Sequence, residues 1–221
     1  DVPFFITTDS LLNGFHVLFE DSFKELEIRR AVRLRQTLED TIANVRAKLE
    51  SPNLPPEVIE PAWLQAQRAI GPAMVLLGSS ADHFDDAVRS EIVAQVAKIR
   101  DASMVELPSW LAPVTDDLLA LDYRRLKPVG FYASTSFLAD YFRAVRWLQM
   151  VPYRVDRDAE LGAIALLGAG VPRLERNTAD SYFEVYEKSL GEPDGRSLKD
   201  AMLLRLETDR PLAAEWVAQL R

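Results

Sequence analysis

Cysteine is absent from all 221 residues, and only two histidines occur, His16 and His83. Without a thiol there is no disulfide framework, no thiolate metal site and no cysteine nucleophile. Two imidazoles cannot build a histidine-rich zinc cluster, and the zincin spacing does not occur. The missing thiols leave the redox compartment open on either side of a membrane. Basic charge is also short, since 26 Lys and Arg against 34 Asp and Glu leave a net charge of -8. Such a chain repels phosphates and anionic headgroups, which excludes non-specific binding to nucleic acid or to an acidic lipid surface. Long apolar runs are lacking too. The longest, Ala163 to Val171, is broken by Gly168 and Gly170, well short of the roughly 18 to 20 residues that a membrane span requires. There is no Gly-x-Ser-x-Gly elbow. Lys127-Pro128-Val129-Gly130 lacks the glycine density and the Lys-Ser/Thr pair of a phosphate cradle, so it reads as a turn.

What is present is a globular composition, 48% hydrophobic and 27% charged, long enough for one or two packed cores. Nearly every segment carries the helical period. From Thr8, with Thr7 or Thr8 as cap, Leu11, Leu12, Phe15, Leu18, Phe19 and Phe23 recur mainly at three and four. A second stretch from Phe23 to Glu50 fits one long helix, with a kink allowed, and stops at the proline-rich Ser51 to Pro56. A third helix runs from Pro56 or Pro61 to Ile70, Pro72 starts or kinks a fourth to Gly78, and a fifth runs from Phe84 to Arg100. His83 sits in a surface turn. Residues 102 to 130 hold Pro108, Pro113, Pro128 and Gly130 and form a long irregular connection, with helical promise only over Asp116 to Leu121. Ser134 or Thr135 caps a helix with the apolar face Phe137, Leu138, Tyr141, Val145 and Leu148. Further helices are expected over 159–167, 179–190, 197–206 and 212–220. No segment alternates like a convincing strand. The expectation is an all-α fold, a multi-helix antiparallel array of eight to ten helices with an incomplete α/α toroid as one way to close it. A helical domain over 1–155 would carry a C-terminal helical extension, 156–221, packed on it.

The sharpest candidate is a polar stripe. Asp9, Asn13, His16 and Glu20 are offset by four, seven and eleven residues and return to nearly the same side of a helix whose other residues are mostly apolar. Turned inward, these groups need partners or chemistry. Asp9 alone is explained by the helix start, where a carboxylate complements the dipole. A second constellation is Tyr132, Arg143, Arg146 and Trp147. Arg143 is placed to hold Asp9 or Glu20 in a bidentate pair, which would join Asp9, His16 and Arg143 in one network. The other reading is a site for a small anionic or saccharide ligand, with Tyr132 and Trp147 as flat walls.

Three segments carry a resemblance: Pro3 to Glu20, Asp122 to Tyr132, and Tyr141-Phe142-Arg143-Ala144-Val145-Arg146-Trp147. In this order they resemble a bacterial and archaeal family known as domain of unknown function three-one-six-zero, over about the first 155 residues. Its members resemble secreted or lipid-anchored proteins longer than this chain, so the resemblance implies export to the periplasm or cell surface. The chain does not begin with Met, and reads as a processed or truncated piece. The family pattern commonly has a histidine where this chain has Asn13. One imidazole is a poor metal face, and neither a metal nor a cofactor is expected. The functional expectation is a non-catalytic module of an exported protein that binds a ligand or an envelope protein. The alternative is the helical part of a hydrolase acting on saccharide or cell-wall material, which needs two carboxylates across a groove.

Overall fold

A computed structural model of the chain describes residues 7–49, 56–111, 120–154 and 157–172. The first helix, α1, spans Thr8–Leu49 without a break. Thr7 starts it: its hydroxyl accepts the Ser10 amide at 3.2 Å, and its carbonyl takes the Leu11 amide at 3.1 Å, which satisfies two of the free donors at a helix start. At 1.5 Å per residue α1 is about 63 Å long, twice the width of a small domain. Only its second half is packed. The first buried residue is Glu27, followed by Ala31, Leu38, Thr41, Ile42 and Val45.

The body is built around α2, Pro56–Leu76, which touches α1, α3 (Asp86–Asp101), α4 (Ser136–Met150) and α5 (Asp158–Gly170). The spacing predicts two helices here, with Pro72 starting or kinking the second. Instead α2 runs through both Pro61 and Pro72. An interior proline costs a helix about 3 kcal/mol, and burial from Gln65 to Met74 on all sides but that of Arg68 holds the helix across it. Ala62, Ala66, Ala69 and Ala73 are all buried. These small side chains let neighbours come close. A Cβ on Gly162 of α5 would lie 2.7 Å from the Ala62 Cβ, and one on Gly170 would lie 2.6 Å from the Thr41 carbonyl oxygen of α1. Both glycines are therefore fixed by close helix packing.

In α5 every residue from Glu160 to Gly170 is buried. Its last carbonyls are taken by α1: the Asn44 amide donates to Gly170 at 2.8 Å, and the Lys48 ammonium donates to Ala169. This answers the orphan acceptors and the negative end of the dipole together. The helix α4 is capped by Thr135, whose hydroxyl accepts the Leu138 amide at 3.2 Å.

The connection between α3 and α4 is as irregular as its prolines imply. It also holds something that was not expected, a two-stranded antiparallel ladder of β1 (Val105–Glu106) and β2 (Leu121–Asp122), with Val105 opposite Asp122 and Glu106 opposite Leu121. Strands of two residues are too short to show alternation. Short 3-10 turns at Ser109–Leu111, Tyr123–Leu126 and Gly130–Ala133 lie along its described parts. The all-α class stands, with five α-helices among the described residues. The helices expected over 179–190, 197–206 and 212–220, and most of the one over Asp116 to Leu121, lie outside the described residues.

Candidate functional site

Asp9 and Val45 are 36 residues apart, ten turns of α1, so they share one azimuth. Asn13, His16 and Glu20 fall within about 40° of the line through Glu27, Ala31, Leu38 and Val45. The polar stripe thus has the phase of the buried face. It is nevertheless in water, because no residue from Thr8 to Leu26 is buried. The helix leaves the body before the stripe begins. His16 Nε2 lies 3.4 Å from Glu20 Oε1, and Lys24 Nζ lies 3.8 Å from Glu20 Oε2. With the His16 side chain 66% exposed, such a pair contributes well under about 1 kcal/mol. Asp9 and Asn13 make no side-chain hydrogen bond to another described residue. The expected inward pocket is not formed by these four groups.

Arg143 also takes another partner. It donates to Asp140 at 3.0 Å, one turn back on α4, and Asp140 accepts from Arg100 of α3 at 2.7 Å. Asp140, through Arg100, ties α4 to α3, and the Arg143 guanidinium stays on its own helix, away from Asp9 and Glu20. Trp147 is no wall of an open site. It is fully buried, its indole N–H donates to the Ala69 carbonyl of α2 at 2.8 Å, and its ring lies 6.3 Å from Tyr123 and 6.4 Å from Trp110. Tyr132 is half-buried against Phe131 and Phe142, with centroids at 4.3 and 5.2 Å. Arg146, one residue before Trp147, points outward and lines a shallow hollow with Arg125, Leu126, Gln149 and Met150. Successive residues of a helix face about 100° apart, which is why one motif serves core and surface at once.

The polar groups that do gather were not singled out by their spacing. Asp85, directly before α3, accepts from Arg46 of α1 at 2.8 Å and from the Trp63 indole and the Gln67 amide of α2 at 2.7 and 3.0 Å. Its own backbone amide donates to the side-chain Oε1 of Gln67 at 2.9 Å. One carboxylate thereby joins three helices. A second knot is Arg154 with Glu160. Glu160 is buried in the first turn of α5 and accepts from the Arg154 amide at 2.8 Å and from its guanidinium Nε at 2.9 Å. Arg154 Nη2 also donates to the Leu111 carbonyl at 2.8 Å. Burial, with Glu160 adding to it, pushes the Tyr153 phenol up from its ordinary value. Burial likewise pushes Tyr123 up to about 12, against the lowering effect of the Gln95 amide that donates to its hydroxyl. Both carboxylates are engaged by their own chain, which is the pattern of fold-holding contacts. Among the described residues no three His, Asp or Glu side chains are grouped as metal ligands would be. A signal for Glu160 existed in the sequence, one of two acids, with Asp158, at the head of an otherwise apolar helix; the signal for Asp85 was its place just before the α3 pattern.

What remains unpaired is the apolar face of the projecting half of α1. Leu11, Leu12, Phe15, Leu18, Phe19, Phe23 and Leu26 are between 39% and 70% exposed. They cover an arc of about 140°, the width with which a globular helix packs on its core. Phe15, Phe19 and Phe23 already form a ridge, with ring centroids 6.1 and 4.4 Å apart. Scattered exposed apolar residues are ordinary; a contiguous row over about four turns is not. This arm is the candidate functional site.

A family model described as "Protein of unknown function (DUF3160)" matches residues 1–218, the family that the three motifs resemble. No curated protein and no solved structure matches the chain.

Proposed function

We propose, for a chain that belongs to this family of unknown function, the role of a non-catalytic association module: a helical body that holds out the first five turns of α1 as an arm for a protein surface. The observation that supports it is the row of large apolar side chains from Leu11 to Leu26, exposed along a helix that is otherwise well capped and continuous. An isolated helix of this length is marginal in water, and most helical stability in proteins comes from packing an apolar face. A helix that keeps such a face away from its own body is built to pack on another. The setting that goes with this reading is the periplasm or cell surface, which the family resemblance implies. The hydrolase reading draws no support from Asp9 and Glu20, which lie eleven residues, about 16 Å, apart along one exposed helix.

The test is a pair of substitutions on the ridge. Phe15→Glu with Leu18→Glu is expected to abolish association in sedimentation velocity while leaving the melting temperature of the body within a degree or two, since neither side chain contributes to the core. A large loss of melting temperature in a chain shown to be dissociated would mean that the arm is part of the body, and the reading would fail.

A further inference from the structure

Five of the seven residues of this apolar face form a symmetric ridge, while Leu11 and Leu18 lie about 80° to 100° to one side of it. Counted from Phe19, its members stand at minus seven (Leu12), minus four (Phe15), plus four (Phe23) and plus seven (Leu26). The order Leu, Phe, Phe, Phe, Leu reads the same in both directions. At 100° per residue these five lie within about 40° of the Phe19 direction, and residues at opposite offsets sit at equal and opposite angles. A two-fold axis perpendicular to the helix at Phe19 therefore lays the ridge onto a second copy of itself. Leu12 meets Leu26 of the second copy, Phe15 meets its Phe23, and the two Phe19 rings face each other on the axis. Opposite and equal angles place the facing side chains on alternate sides of the seam, which is how ridges interleave when two helices pack at 8 to 10 Å.

We propose that the arms of two copies of this chain pair antiparallel about Phe19, so that the partner in the association reading above, on which this inference rests, is the chain itself. A two-fold contact needs the same patch on both sides to be self-complementary; a palindromic ridge meets that condition, whereas a surface shaped for a different protein has no reason to. The area is adequate. Side chains of about 150 to 250 Å² for the aromatic members, exposed by between 39% and 67%, give on the order of 1,000 Å² over the two copies, the threshold of a specific interface. The geometry is open as well. The packed line of α1 runs through Glu27, Ala31 and Val45, and the ridge is centred about 80° round the helix from it. The bodies then begin at opposite ends of the paired ridge, at Glu27 of each copy, about 12 Å beyond Phe19 on either side.

Because the chain has no cysteine, single thiols report the register directly. Phe19→Cys, treated with a short bis-maleimide at micromolar protein, is expected to give a cross-linked dimer in high yield. Leu12→Cys alone is expected to give almost none, because the two thiols stand about 21 Å apart along the seam. An equimolar mixture of Leu12→Cys and Leu26→Cys is expected to cross-link as a heterodimer. All three positions are exposed on the arm, and circular dichroism of each variant checks the fold. Strong self-cross-linking of Leu12→Cys would mean a parallel pair and overturn the proposal. So would a monomer whose residue-19 thiol reacts freely with a soluble maleimide, although an arm open to some other protein would survive. A monomer whose residue-19 thiol is shielded would end both readings, since the chain would be covering its own ridge.

Discussion

Replacing Glu160 by alanine is expected to destabilise the body by about 3 to 5 kcal/mol, the loss that follows when one partner of a buried ion pair is removed. Glu160 takes the Arg154 backbone amide and two guanidinium nitrogens, and is itself only 3% exposed. Without it the Arg154 charge stays beside the first turn of α5, held by the Leu111 carbonyl. For a chain of this size each kcal/mol moves the melting temperature by about 2 to 4 °C, so the midpoint should fall by roughly 6 to 20 °C. Removing the second charge should return much of the loss. Glu160→Leu with Arg154→Met is expected to be more stable than Glu160→Ala alone, because an apolar pair of similar volume removes the cost of desolvating the guanidinium. Calorimetry of the two variants checks this, and equal melting temperatures would show that desolvation is not the dominant cost.

Trp147→Ala is expected to lose a similar amount, about 3 to 5 kcal/mol, through a cavity at the contact of α4 with α2. The indole is completely buried among Tyr123, Trp110 and the backbone of Ala69. Trp147→Phe separates the parts: it keeps most of the ring contact and gives up the hydrogen bond to Ala69, leaving that carbonyl short of a donor. A loss of about 1 to 3 kcal/mol is expected there. Chemical denaturation with a two-state fit distinguishes the variants, and a Trp147→Ala protein as stable as the parent would return Trp147 to the role of an open ligand wall.

The elements of the fold that were legible in sequence were those with long periods and clear punctuation. The α1 cap at Thr7, the run from Thr8 to Leu49, the Thr135 cap of α4 and the apolar α5 all follow from spacing and turn chemistry. Pro72 misled because tertiary burial outweighs a proline penalty at the centre of a core. The two-residue strands carry no period to read. For the candidate site, spacing revealed which residues share the Asp9, His16 and Glu20 face, and that face does lie in line with Val45. What spacing cannot state is where along a helix the body ends. The phase of the buried side repeats every turn, whether or not a neighbour is there to bury it. Asp9 and Ala31 thus look alike on a helical wheel, one in water and the other in the core. The Arg143 pairing failed for a related reason: Asp140 lies one turn away and is reached without any long-range approach.

The first helix, α1, is one helix with two environments, a packed half from Glu27 onward and a projecting half from Thr8 to Leu26. Amide hydrogen exchange followed by mass spectrometry over a dilution series measures this directly. In the dilute, dissociated chain the amides of residues 12 to 24 are expected to exchange through local opening, far faster than those of residues 38 to 45, and to slow as concentration rises and the arms pair. Equal, concentration-independent protection along the whole of α1 would place the arm inside the body and contradict the account.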